Sequence, residues 1–134
     1  MTSQEDWKKN AAREAANLVE DNMLVGLGSG STLAEVVKIL GQKETEDKFV
    51  TSSIPTQRLA EERNLNLISL EKNTKLDLVI DGADEIDPNF NMIKGGGGAH
   101  TREKIVATAA EKVNIVVDKT KLVENLCQKN PIPV

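Results

Sequence analysis

Between Asp81 and Glu103 the chain reads DGADEIDPNFNMIKGGGGAHTRE, which brings a pair of acids three positions apart, a lysine, a run of four glycines and a further acid into one short stretch. Residues of these types suit one task, holding a small anion while a proton is moved on it. Asp81 and Asp84 follow an apolar run, Leu76 to Ile80, that reads as a buried strand, so both carboxylates are expected just past its C-terminal end. Ligands of parallel α/β sheets bind at that edge. Gly82 permits a tight turn between the acids, and Gly95 to Gly98 clear side chains from a loop whose N–H groups can then approach an oxyanion. Lys94 brings positive charge to that loop. Glu103 falls early in TREKIVATAAEK, a predicted helix rigid enough to hold a base against a carbon-bound proton. Each piece has a plainer use, since Asp-Gly-Ala-Asp also makes an ordinary turn or helix cap and a glycine run also makes a flexible loop. Their ordered association is what favours chemistry.

A second group lies near the N-terminus, where Met23 to Leu27 reads as a short strand running into Gly28-Ser29-Gly30-Ser31-Thr32 and then an apolar-periodic helix. Loop amides, the Ser29, Ser31 and Thr32 hydroxyls and the positive end of the helix dipole suit a phosphate. A Ser or Thr cap on an ordinary helix would use the same residues. The loop lacks the lysine of a GxxxxGK[ST] nucleotide loop, and Gly26, Gly28 and Gly30 miss the GxGxxG spacing because position 31 is Ser.

The elements that must position these groups follow from periodicity and punctuation. Helices are predicted over Gln4 to Glu20, Thr32 to Leu40 with Gly41 as cap, Pro55 to about Asn64, and Thr101 to Lys112. Strands are predicted at Met23 to Leu27, Lys48 to Ser52, Leu67 to Leu70, Leu76 to Ile80 and Val113 to Val117. Such alternation implies a single α/β domain over 1–134, with a doubly wound, mostly parallel, Rossmann-like sheet flanked by helices.

Composition sets outer limits. The 134 residues are enough for one core, burying roughly two-thirds of the unfolded surface. Two Phe, one Trp and no Tyr leave Val, Ile, Leu and Ala to fill it and argue against stacking platforms for single-stranded nucleic acid. A formal charge of −4 disfavours a general polyanion binder while allowing a local phosphate pocket. No membrane partner is expected, because no apolar run is long enough to span a bilayer, and the polar start points to the cytoplasm. Cys127 is the sole cysteine and His100 the sole histidine, so no disulfide or cysteine zinc cluster is expected; Cys127 reads as a buried or idle thiol and His100 as solvent-facing or loop-packing. Trp7 reads as a packing or interface residue.

GLGSGST, DGADEID and IKGGGGAHTREKIV, in this order, closely resemble the motifs of ribose-5-phosphate isomerase type A, and the likeness extends to the closing Pro131-Ile132-Pro133-Val134. The resemblance implies interconversion of ribose 5-phosphate and ribulose 5-phosphate through an enediolate, with no cofactor and no metal. It implies Glu103 as proton acceptor, with Asp81, Asp84 and Lys94 at the reacting end. Ser29, Gly30, Ser31 and Thr32 would hold the phosphate or neighbouring hydroxyls, while Gly82, Ala83, Gly95, Gly96, Gly97 and Lys121 would complete the substrate site. Acids so close together should separate their pKa values. His100 departs from the apolar residue more usual there. Family members continue beyond the position of Val134 through a small α+β region and a return segment, and assemble as dimers or tetramers. The expectation is therefore a chain lacking that region, with exposed sheet edges and weak or absent activity. Two other readings stay open: a sugar-phosphate-binding module without turnover, and a half-protein completed by a C-terminal partner.

Overall fold

The computed structural model of the chain describes residues 3–134. The first helix, α1 (Gln4–Ala16), starts at a reciprocal cap in which the Ser3 hydroxyl accepts from the Asp6 N–H and Asp6 Oδ2 accepts from the Ser3 N–H at 3.0 Å. It ends earlier than its periodicity suggests, because the chain turns at Asn17 and buries Val19 against the core.

Four parallel strands make the main sheet: β1 (Leu24–Leu27), β2 (Lys48–Thr51), β3 (Leu78–Asp81) and, last in the chain, a three-residue strand at Val113–Ile115. Their order across the sheet places β1 between β2 and β3, with the Val113–Ile115 strand on the far side of β3. The chain leaves β1 toward β2 through α2 (Ser31–Leu40) and returns past β1 to β3 through α3 (Ile54–Glu62). The order therefore reverses between β1 and β3, and a crevice opens beyond their C-terminal ends.

Alternation along the strands divides the core. Val25, Leu27, Phe49, Leu78 and Ile80 join Leu33, Val36 and Val37 of α2 and the small face Ala12, Ala15 and Ala16 of α1. Val50 and Val79 point the other way, with Leu76 and Val106. Each fully buried Leu or Val contributes about 1.5–3 kcal/mol, so burial on both faces is what fixes the strand register. The fold is thus an α/β sheet covered on two sides, as the element pattern predicts.

Further element limits, one expected strand and one motif differ from expectation. Asp81 is the last residue of β3 rather than a residue past it, because the ladder continues to Asp81 opposite Ile115, with Val116 N–H donating to Asp81 O at 2.8 Å. Leu67 to Leu70 forms a single bridge to Phe49 instead of a strand. The helix α4 spans His100–Thr108 and stops short because Ala109 and Glu111 leave it to bond across to Leu76. Within the acidic motif lies a small antiparallel hairpin, β4 (Glu85–Ile86) and β5 (Met92–Ile93), closed by the Asp87 carboxylate accepting from the Asn89 and Asn91 N–H groups. The final sheet strand, Val113–Ile115, is β6. Among the described residues no helix is long and apolar enough to cross a membrane.

Candidate active site

A cleft of about 510 Å³ occupies the crevice between β1 and β3. The loop after β1, the loop after β3, the glycine run and α4 meet there, with the start of α3 forming a further wall. The first turn of α2 opens onto it without a side-chain cap: its N-cap is Gly30, with φ 104° and no capping bond, and no acid lies in the turn. The leading N–H groups of α2 therefore remain available to an anion, together with the positive end of the helix dipole. This removes the ordinary-cap reading of the glycine-hydroxyl loop.

At the other end of the cleft three charged side chains converge. The Lys94 ammonium lies 3.1 Å from Asp81 Oδ2 and 3.8 Å from Glu103 Oε2, and also donates to the Gly82 carbonyl. Glu103 is only 5 % exposed on α4, and its two oxygens are not equivalent. Oε1 accepts from the Ser29 hydroxyl at 2.6 Å, whereas Oε2 is buried with no hydrogen-bond partner. A fixed carboxylate with one free oxygen is the form a proton acceptor needs.

Asp81 is held from behind. Its Oδ1 accepts from the Gly82 N–H at 2.7 Å and the Ser29 N–H at 3.3 Å. Burial pushes this carboxyl above the ordinary aspartate range; Lys94 opposes the rise, and the neighbouring Glu103 charge adds to it. Position 28 has to be glycine for this geometry, since a Cβ there would stand 1.9 Å from Asp81 Oδ1. Asp84, in the turn after β3, accepts from the Gly96 N–H at 2.8 Å and so pins the glycine loop. At the head of that loop Gly95 has φ 88°, and a Cβ on it would meet the His100 side chain at 2.5 Å. His100 is accordingly an exposed, loop-packing residue.

Twelve of the residues expected at the site line this one cleft: Ser29, Gly30, Ser31, Asp81, Gly82, Ala83, Asp84, Lys94, Gly95, Gly96, Gly97 and Glu103. Two do not. Thr32 is buried in the first turn of α2, and Lys121 sits on the 3₁₀ turn Lys119–Lys121, outside the lining. That turn is tied to the start of α1 by Gln4 Nε2 donating to Thr120 Oγ1 at 3.2 Å, and Lys119 lies 3.8 Å over the Trp7 ring. Trp7 is thus a packing residue. Cys127 is exposed, not buried.

Sequence reasoning missed Ser53, Pro55, Thr56 and Leu59 as cleft walls. Ser53 caps α3 and donates to Thr56 Oγ1 at 2.9 Å; Thr56 Oγ1 in turn donates to the Gly28 carbonyl at 2.8 Å. A Ser-Ile-Pro-Thr helix start was readable, but nothing local shows that it braces the loop after β1. Ser29, expected to hold the phosphate or neighbouring hydroxyls, also donates its hydroxyl to Glu103, a pairing that the sequence does not reveal.

The family profile of ribose 5-phosphate isomerase A (phosphoriboisomerase A) matches residues 48–134. The chain is 44% identical over 135 residues to ribose-5-phosphate isomerase A of Pyrococcus horikoshii, covering 97% of this chain and 59% of that protein. It is 48% identical over 132 residues to the Prochlorococcus marinus protein of the same name, covering 95% and 57%. A solved D-ribose-5-phosphate isomerase in complex with phospho-erythronic acid superposes with a TM-score of 0.93 at 43% identity, over 97% of this chain and 59% of that one. The chain thus spans about 59% of the length of such relatives. With the family profile, the sequence identity and the superposition all in accord, the chain belongs to the ribose 5-phosphate isomerase A family.

Proposed function

We propose that the cleft takes ribose 5-phosphate and ribulose 5-phosphate and interconverts them by proton transfer between adjacent carbons. The observation that carries this reading is Glu103, buried, oriented by Ser29 through one oxygen and unpartnered at the other, beside Lys94. In the aldose direction Glu103 Oε2 takes the proton from the carbon next to the carbonyl, the electron pair forms the enediolate double bond, and negative charge moves to the former carbonyl oxygen. Glu103 then returns the proton to the adjacent carbon. Lys94 and those glycine-loop N–H groups not already bonded within the loop or to Asp84 stabilise the oxygen charge. Asp81, with its raised pKa, is suited to move a proton between the hydroxyl oxygens, and Asp84 holds the glycine loop in place for the substrate. The phosphate goes to the uncapped start of α2, where Gly30 and Ser31 line the cleft. Lys121 would join it only if its turn moves toward the cleft.

An isomerisation assay on this chain beside a longer relative, with a Glu103→Gln control, tests the proposal. The expected result is that Glu103→Gln retains binding and loses about a thousandfold in turnover. Equal turnover by Glu103→Gln would refute the assignment of the base. Binding by the unaltered chain with no turnover would favour the binding-module reading. Light scattering on the same samples decides whether the chain self-associates, as the family expectation of dimers or tetramers requires.

A further inference from the structure

Outside the cleft, the most unusual side chain is Glu85. It is fully buried at 0% exposure in the two-residue strand β4, and it carries no ion pair among the described residues. Its partners are backbone amides of a distant segment: the Cys127 N–H on Oε2 at 2.7 Å, and the Lys129 and Asn130 N–H groups on Oε1 at 2.6 and 3.1 Å. Three converging donors need an acceptor with lone pairs on two oxygens and no hydrogen of its own, which only an ionised carboxylate supplies. Burial by itself would raise this carboxyl, but the three N–H groups more than offset that and hold it below the ordinary glutamate range. Cys127, a residue with a side chain, sits at φ 66°, so the turn it occupies has to be held from outside.

The hairpin that Glu85 anchors is the one carrying the reacting end of the cleft. Asp84 precedes Glu85 directly and donates its N–H to Ile93 O at 2.7 Å; Glu85 pairs with Ile93, and Lys94 follows. Asn130 Nδ2 reaches the Asp84 carbonyl at 3.4 Å, and the Val123 N–H donates to Ile86 O at 2.9 Å. The two-residue strands β4 and β5 are too short to hold a register alone. We infer that Glu85 is a positioning residue, whose grip on the Cys127–Asn130 turn fixes the β4–β5 hairpin and thereby sets Lys94 and Asp84 against Glu103. Its catalytic consequence rests on the proposed isomerase reading, whereas its effect on Lys94 does not.

The test is amide exchange, the NMR signal of the Lys94 Cε group, and steady-state kinetics on the full chain and Glu85→Gln. In the unaltered chain the Cys127, Lys129 and Asn130 amides should be protected although Cys127 and Lys129 are exposed residues. Exchange there at free-peptide rates would overturn the inference without any variant. Glu85→Gln turns an amide group toward those donors and should speed their exchange by at least about tenfold and move the Lys94 signal. It should lower kcat by about tenfold to a hundredfold with KM held within about twofold, because the reacting groups shift while the phosphate site stays. Faster exchange with an unmoved Lys94 signal would overturn the positioning role. If the unaltered chain does not isomerise ribose 5-phosphate, the functional proposal falls, and the Lys94 signal alone still decides this one.

Discussion

Among the described residues, Lys94 is the single cation facing two nearly buried carboxylates, Asp81 at 2 % and Glu103 at 5 % exposure. Its removal leaves two like charges with no counter-charge, which costs far more than a surface ion pair is worth. Lys94→Met should therefore destabilise the chain by about 3 kcal/mol at neutral pH, read from the midpoint of denaturant unfolding. The deficit should shrink in acid, where the carboxyls protonate; a constant deficit across pH would mean that packing, not charge, is responsible. Asp81, Lys94 and Glu103 were all legible in the sequence, because acids after an apolar run, a glycine run and a helix start sit within one stretch. The roles of Ser29 and Glu85 were not. Ser29 meets Glu103 across 74 positions and Glu85 meets Cys127 across 42, and no local pattern encodes such pairings.

At the scale of elements, the start of α3 is a brace. Ser53 accepts from the Thr56 N–H as the helix cap and donates to the Thr56 hydroxyl, which holds the Gly28 carbonyl. Ser53→Ala should cost about 1 kcal/mol in stability, the usual value of a lost N-cap, and Thr56→Val should loosen the loop after β1 as well. Unfolding midpoints of the two variants check this, and a neutral Ser53→Ala would show that the cap is redundant. Helix and strand identities were readable where they rested on long periodic runs, such as Leu33 to Leu40. Boundaries failed where a tertiary bond took over from local preference. The Leu76 to Ala109 and Glu111 bonds ended α4 early, and the Ile115 rung drew Asp81 into β3. The hairpin at Glu85 to Ile93 was hidden because its strands are two residues each, although Asp87-Pro88-Asn89 is a recognisable turn.

Across the whole molecule, acid should unfold the chain through its hydrogen-bonded carboxylates. Glu85 and Asp118 are buried, yet their hydrogen bonds hold them below their ordinary values, and the hydrogen-bonded Asp87, half-buried, and Asp6, exposed, are lowered too. A depressed folded pKa gives stability that is present above the unfolded value and lost as pH falls through the folded one. Asp81 runs the other way: its raised pKa favours the folded state in acid, and that contribution is lost as pH rises through the folded value. The four lowered groups outnumber it, so the unfolding midpoint should drop below about pH 4, with Glu85→Gln flattening the dependence. A chain equally stable on either side of that range would contradict this balance. The sheet edges differ in the same global sense. Beyond β2, Asn66 and Ile68 bond to Phe49, while among the described residues no strand pairs with the outer side of β6, where Val113 is 46% exposed.

The crevice between β1 and β3 has a thermodynamic corollary. Its walls come from segments as far apart in sequence as Ser29 and Glu103, and they meet only when the parallel strands and α4 have docked. An unfolded chain holds no part of that surface, so any ligand bound there draws the equilibrium toward the native state by mass action. At about a hundred times its Kd such a ligand should add about 2.7 kcal/mol to the free energy of unfolding. Melting curves recorded with rising ribose 5-phosphate would thus test the proposed occupancy of the cleft without relying on turnover.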